Sequence, residues 1–75
     1  MTVKEIHEAI KNGKRVNWHN SLYKVYREKE RSGRLGEFDR SHETYLDGYI
    51  LGIVCIDNGF GGHADLSELK DCYID

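Results

Sequence analysis

Four histidines and two cysteines are the side chains in this sequence best suited to metal binding or catalysis. No histidine lies at metal-ligand spacing from a cysteine or another histidine, and no Cys-x-x-Cys pair is present. His63 and Asp65 would share one strand face, but a single such pair does not make a metal site. The sequence therefore predicts no metal, and it predicts that the histidines lie at the surface: His7, His19, His42 and His63.

The sequence contains the residue types of a nucleophilic enzyme without their arrangement. Asp71, Cys72 and His63 could form such a site only if the Cys72 thiol were accessible, and its neighbours Tyr73 and Ile74 favour burial. The glycine-rich run that ends at His63 is followed by neither Lys-Ser/Thr nor a long helix, which a phosphate-binding loop requires. A fold of 75 residues also has little room for a pocket that excludes water. We expect no catalytic activity and no cofactor.

Basic and aromatic side chains alternate in the first third of the chain. This pattern is typical of small domains that hold single-stranded nucleic acid, in which cations contact phosphates and aromatic rings stack on bases. Trp18 shares a strand face with Val16, which favours a place in the core. The candidate nucleic-acid-binding residues are Lys14, Arg15, Tyr23, Lys24, Tyr26 and Arg27.

Residues 29–43 break the alternation. They contain four basic and four acidic residues and no periodic apolar face. A loop of this length in a small domain is usually functional. We expect a mobile loop that contributes to contact with a protein partner, although residues 34–43 could instead extend a twisted hairpin arm. The candidate partner-binding residues are Arg31, Arg34, Phe38 and Arg40.

Length and charge predict one soluble domain, residues 1–75. The net charge of −2 divides unevenly, with +4 (seven basic, three acidic) in residues 1–29 and −6 (four basic, ten acidic) in residues 30–75. No apolar run reaches the roughly 18 residues of a membrane span, and the first residues lack a signal-peptide layout. We therefore expect a cytoplasmic protein with two reduced cysteines, no membrane contact and an oligomeric state that the sequence leaves open.

The elements follow from periodicity and turn residues. Thr2 and Glu5 form a capping box at the start of a helix over residues 3–12, and Asn12-Gly13 ends it. A hairpin over residues 15–28 follows, with a turn at residues 19–21. The sheet resumes at residues 45–75, where the strongest strand covers residues 45–57 and has apolar residues on both faces. The predicted fold is α+β: one N-terminal helix packed on a curved antiparallel sheet of four to five strands, as in an SH3-like partial barrel.

Residues 13–25, GKRVNWHNSLYKV, resemble the G-K-x-V-x-W-x-N-x-x-Y-x-V hairpin of short uncharacterised phage and prophage proteins. Residues 56–61 and 69–74 are similar in style to the ends of such proteins. The resemblance implies an SH3-like or helix-plus-sheet unit, in a class that includes inhibitors of host defence such as anti-CRISPR proteins. It assigns no functional residue. The resulting hypothesis is a non-catalytic protein that binds a partner, such as a host defence nuclease complex, with single-stranded nucleic-acid binding as the alternative.

Overall fold

The computed structural model of the chain describes residues 1–30 and 40–75. Its first helix, α1, covers Val3–Lys11 and begins with the expected capping box. The Glu5 N–H donates to the Thr2 hydroxyl over 3.2 Å, and the Glu5 carboxylate accepts from the Thr2 N–H over 2.8 Å. Gly13 follows the helix with a φ of +81°, a left-handed conformation that glycine adopts without strain.

Five antiparallel strands form a single sheet, in the order β4-β3-β2-β1-β5. The strands are β1 (Val16–Trp18), β2 (Asn20–Lys29), β3 (Tyr49–Cys55), β4 (Gly61–His63) and β5 (Cys72–Ile74). A short helix, α2, covers Leu66–Leu69 between β4 and β5. The sheet is open, with β4 and β5 at its edges. The predicted α+β class, with one N-terminal helix on an antiparallel sheet of up to five strands, is confirmed.

Two predicted strand boundaries are wrong, because residues with a positive φ turn the chain at other positions than expected. The first hairpin turns at His19 alone, which has a φ of 67°, so that β2 already begins at Asn20. Asp47 and Gly48, with φ of 50° and 89°, turn the chain before β3. The predicted strand over residues 45–57 is therefore shortened to Tyr49–Cys55.

The core lies between α1, α2 and one face of the sheet. Its buried members are Ile6, Ala9, Val16, Val25, Leu51, Ile53, Ala64, Leu69 and Cys72. Trp18 packs against this cluster but is only partly buried, with its ring edge-on to Tyr23 at a centroid distance of 5.2 Å. The indole N–H of Trp18 is buried and has no acceptor among the described residues. Trp18 therefore lies at the edge of the core and not at its centre.

The two cysteines are free thiols, Cys55 on β3 and Cys72 on β5. Strands β2 and β1 lie between them. Three strand spacings of about 4.8 Å separate the two positions by roughly 14 Å, whereas a disulfide needs Cα atoms within about 7 Å. The strands of the two cysteines are therefore not neighbours, and the fold holds the thiols apart.

We expect alkylating reagents to modify Cys55 well before Cys72 in the native protein. Burial raises the pKa of the Cys72 thiol to about 11, so little of the reactive thiolate exists near neutral pH. A maleimide time course followed by peptide mass spectrometry measures the two rates. Equal rates under native conditions would contradict the placement of Cys72 in the core, and the unfolded protein in urea is the control.

Strands β2 and β3 pair without a register shift at Gly52. Gly52 leaves space for an aromatic ring, because a Cβ atom at this position would overlap the ring of Tyr26 on β2. Tyr26 lies opposite Gly52 in the register. The aromatic ring thus occupies the space that a side chain at position 52 would need.

Gly52→Ala is therefore expected to lower the free energy of unfolding by about 1–3 kcal/mol, as overpacking does. Urea denaturation measures the change. Gly62→Ala is the matched control, since nothing lies within 4 Å of a Cβ at that position. Adding Tyr26→Ser to Gly52→Ala should recover part of the loss, and no recovery would contradict the proposed overlap.

Candidate functional site

A basic cleft opens where β2 extends beyond β1. Strand β1 begins at Val16 opposite Val25, so the following residues of β2 are not paired with β1. Residues 13–15, which precede β1, line the cleft beside them. The cleft has a volume of about 400 Å³ and is lined by Ile10, Gly13, Lys14, Arg15, Lys24, Val25, Tyr26 and Arg27. It contains five of the six candidate nucleic-acid-binding residues, and all four charged side chains in its described lining are cations.

The cations of the basic cleft differ in how they are held. The Arg15 guanidinium donates from Nε to the Asn17 side-chain oxygen over 2.9 Å, and from a terminal nitrogen to the Ser21 carbonyl over 2.8 Å. Arg15 is thus fixed in place, whereas Lys14 and Lys24 are exposed. This arrangement combines a positioned guanidinium with two ammonium groups that can adjust to an anion.

The sixth candidate, Tyr23, lies elsewhere. With Trp18 it lines a separate groove of about 210 Å³ on the core side of the sheet. Residues alternate between the faces of a strand, so Tyr23 and Tyr26 lie on opposite faces of β2. Trp18, Tyr23 and Tyr26 therefore do not form one stacking surface, and the basic cleft is suited to phosphates more than to stacked bases.

A second cavity, the helix cleft, lies between α1 and the start of β3. Its volume is about 450 Å³, and Arg27 lines it as well as the basic cleft. Six of the seven basic residues of positions 1–29 line one of the two clefts, so the charge asymmetry of the sequence is also a spatial one. The helix cleft is lined by Lys4, His7, Glu8, Lys11, Arg27, Leu46, Asp47 and Tyr49.

Arg27 is positioned by a histidine that was expected at the surface. His7 is only 2% exposed, which contradicts that expectation. Its Nδ1 accepts a hydrogen bond from Arg27 Nε over 3.0 Å, so the proton lies on Nε2, which donates to the Thr44 carbonyl over 2.8 Å. The Arg27 guanidinium lies 3.9 Å from the centre of the Tyr49 ring, within cation–π range.

The spacing of apolar residues in α1 could have placed His7 on the buried face of the helix. Position 7 lies one residue from Ile6 and three from Ile10, within the same apolar stripe. The sequence does not show which residues would form hydrogen bonds with the imidazole of a buried His7. Arg27 and Thr44 are 20 and 37 residues away in the chain, so only the fold brings them to His7.

Folding stability should decrease as the pH falls below about 6.5. Burial lowers the pKa of His7, and the positive charge of Arg27 lowers it further against an opposing effect of the Thr44 carbonyl. The unfolded chain takes up a proton near pH 6.5, whereas the folded chain does so only at lower pH. The contribution of neutral His7 to the free energy of unfolding is therefore complete above pH 6.5. It is lost as the pH falls from 6.5 to the lower pKa that His7 has in the folded protein.

Urea denaturation midpoints between pH 5 and 8 measure this dependence, with His7→Gln as the comparison. The variant should show a smaller loss of stability over the acidic part of the range. If the variant and the original protein lost stability in parallel, another group would account for the pH dependence.

Three of the four candidate partner-binding residues, Arg31, Arg34 and Phe38, lie outside the described residues, as does most of the segment expected to be mobile. The fourth, Arg40, forms an exposed two-point ion pair with Glu30, with distances of 2.8 and 3.2 Å. This pairing lowers the pKa of Glu30. The Arg40 side chain is exposed in this pair, so it remains accessible to a partner.

The remaining histidines do not form a metal site. The rings of His42 and His63 meet edge to face at 5.1 Å, and His63 lies 3.5 Å from a Glu28 carboxylate oxygen. His19 and His63 are exposed. Within residues 1–30 and 40–75, no three or more His, Cys, Asp or Glu side chains are grouped so that they could hold a metal ion.

Comparison with protein-family models, curated proteins and solved structures gives no match for this chain. The resemblance to phage proteins therefore stays a prediction. In the described part of the chain, no helix has the length and apolar character needed to cross a membrane.

Proposed function

We propose that this protein is a non-catalytic binding protein that holds single-stranded nucleic acid by its phosphate backbone in the basic cleft. One observation carries the proposal. Lys14, Arg15, Lys24 and Arg27 converge on one cleft from two separate segments of the chain, and no described carboxylate lines it. Such clusters of cations release counterions from a polyanion, and this release dominates the affinity for nucleic acid.

The shape of the cleft favours a single strand. Its volume equals that of a cube roughly 7 Å on a side. A duplex is too wide to enter such a cleft, since its major groove alone is about 12 Å wide. A duplex could touch only the rim. Among the described residues Tyr26 is the one aromatic side chain in the lining, so base stacking adds little and sequence preference should be weak.

Fluorescence anisotropy with a labelled 20-nucleotide oligo(dT) tests the proposal, with a duplex of the same length for comparison. Log affinity should fall linearly with log salt concentration, with a slope of about −0.7 for each phosphate neutralised. If each of the four cations of the basic cleft neutralises one phosphate, this cleft alone contributes about −2.8 to the slope, and the single strand should bind more tightly than the duplex. No binding at low salt, or a dissociation constant insensitive to salt, would overturn the proposal.

A protein partner is the second candidate, and two exposed apolar side chains on the face of the sheet opposite the core favour it. Leu22 is 50% and Ile56 is 52% exposed. The Ile56 N–H donates to the Leu22 carbonyl over 2.9 Å, so the two residues are neighbours on β2 and the end of β3. Strand alternation places both on the face opposite the core. Inhibition of a host defence nuclease, which the phage resemblance implies, belongs to this candidate.

Two variants separate the surfaces on which a protein partner could dock. Leu22→Ser/Ile56→Ser alters the sheet face opposite the core, and replacement of residues 30–42 by a short Gly/Ser linker removes the charged segment. Each is compared with the original protein in a pull-down from a host lysate. Loss of a captured protein with one variant assigns the surface, and retention with both would contradict contact through either.

A further inference from the structure

We propose that the helix cleft is a second phosphate subsite, joined to the basic cleft through Arg27, and that it holds one phosphate of the bound strand between Arg27, Lys4 and Lys11. The inference rests on the proposed function and extends it, since it assigns a contact to residues of α1. The two clefts share Arg27 in their linings. A strand lying in the basic cleft therefore reaches the helix cleft without leaving the protein surface.

The contacts of Arg27 hold its guanidinium in an orientation that suits the binding of an anion. Its Nε is engaged by His7 Nδ1 at 3.0 Å and one face of its guanidinium by the Tyr49 ring at 3.9 Å. The two terminal nitrogens make no hydrogen bond to another described residue. They form the planar fork that binds phosphate oxygens in pairs. His7 is thus a positioning residue that acts through Arg27.

Two lysines of α1 complete the subsite. Lys4 and Lys11 both line the helix cleft and lie seven residues apart, about two helical turns or 10.5 Å along the axis. His7 lies between them on the same side of α1. The ammonium groups of the lysines can therefore approach an anion on Arg27 from both ends of the cleft.

The acidic residues of the helix cleft limit it to one phosphate. Glu8 and Asp47 also line it, so its described charges are three positive and two negative, compared with four positive and none negative in the basic cleft. Glu8 lies four residues after Lys4 and three before Lys11, spacings at which helical side chains pair. The net charge suits a single monoanionic phosphodiester and disfavours a dense polyanion.

The test compares the original protein with Lys4→Gln/Lys11→Gln and with Lys70→Gln, an exposed lysine of α2's C-terminus that lines neither cleft. Each is titrated with labelled oligo(dT) of 20 nucleotides at several salt concentrations. Loss of one phosphate contact should reduce the magnitude of the salt slope by about 0.7, and Lys70→Gln should leave it unchanged. An unchanged slope in the double variant overturns the inference.

Arg27→Lys separates positioned geometry from charge. The variant keeps the positive charge but loses the fork and the Nε donor to His7, so we expect affinity to fall about tenfold, with urea midpoints confirming the fold. Unchanged affinity would show that only charge matters and would overturn the positioned subsite. If the original protein bound no oligonucleotide, both proposals would fall. If Lys14→Gln/Lys24→Gln weakened binding while the α1 variant did not, only this inference would fall.

Discussion

Leu51→Ala is expected to unfold most of the protein at 25 °C. Leu51 is fully buried in the middle of β3, within the cluster that α1 covers. Removing a buried leucine side chain costs about 2–5 kcal/mol, through lost burial and the cavity left behind. A single core in a domain this small supplies about 3–5 kcal/mol of net stability, so the loss is comparable to the total.

Circular dichroism and urea denaturation measure the effect. Leu22→Ala is the matched control, because the same atoms are removed from a side chain that is 50% exposed, and its cost should stay below about 1 kcal/mol. A Leu51→Ala protein with the same urea midpoint as Leu22→Ala would contradict the described core.

Lys14→Glu/Lys24→Glu is expected to abolish oligonucleotide binding, with an affinity loss of at least roughly 100-fold at 50 mM salt. The substitutions change the described lining of the basic cleft from four cations to two cations and two carboxylates. Its net charge becomes zero, and the new carboxylates repel the phosphates. Anisotropy with oligo(dT) of 20 nucleotides measures the change.

Lys29→Glu/Lys70→Glu provides the control for net charge. Both double variants change the formal charge from −2 to −6, but Lys29 and Lys70 line neither cleft. The control should therefore bind with an affinity within a few-fold of the original protein. If it lost as much affinity as the cleft variant, the overall charge rather than the basic cleft would govern binding.

Local interactions explain what could be predicted of the fold. The capping box of Thr2 and Glu5 and the stop at Gly13 involve residues within a few positions of each other, and both are present. The turn between β3 and β4 is also local, with the Gly59 N–H donating to the Cys55 carbonyl over 2.8 Å. Alternation and turns of this kind were sufficient to predict a helix on an antiparallel sheet.

The basic character of the candidate site was also predictable in part, because it depends on the residue types of one segment of the chain. The concentration of basic residues in positions 1–29 indicated a basic face, and Lys14, Arg15, Lys24 and Arg27 do line one cleft. The separation of the two tyrosines also follows from the sequence. Tyr23 and Tyr26 differ by an odd number of positions, so the strand directs them to opposite faces of the sheet.

The sequence by itself thus determined the class of fold, the helix boundaries to within a residue and the basic character of the first 29 residues, because each depends on neighbours in the chain. Only the tertiary structure decided that His7 is buried, that Arg27 lies between two clefts and that Gly52 accommodates Tyr26. Each of these depends on strand register or on contacts across 20 or more residues. Packing sets such contacts, and the spacing of residue types along the chain does not contain them.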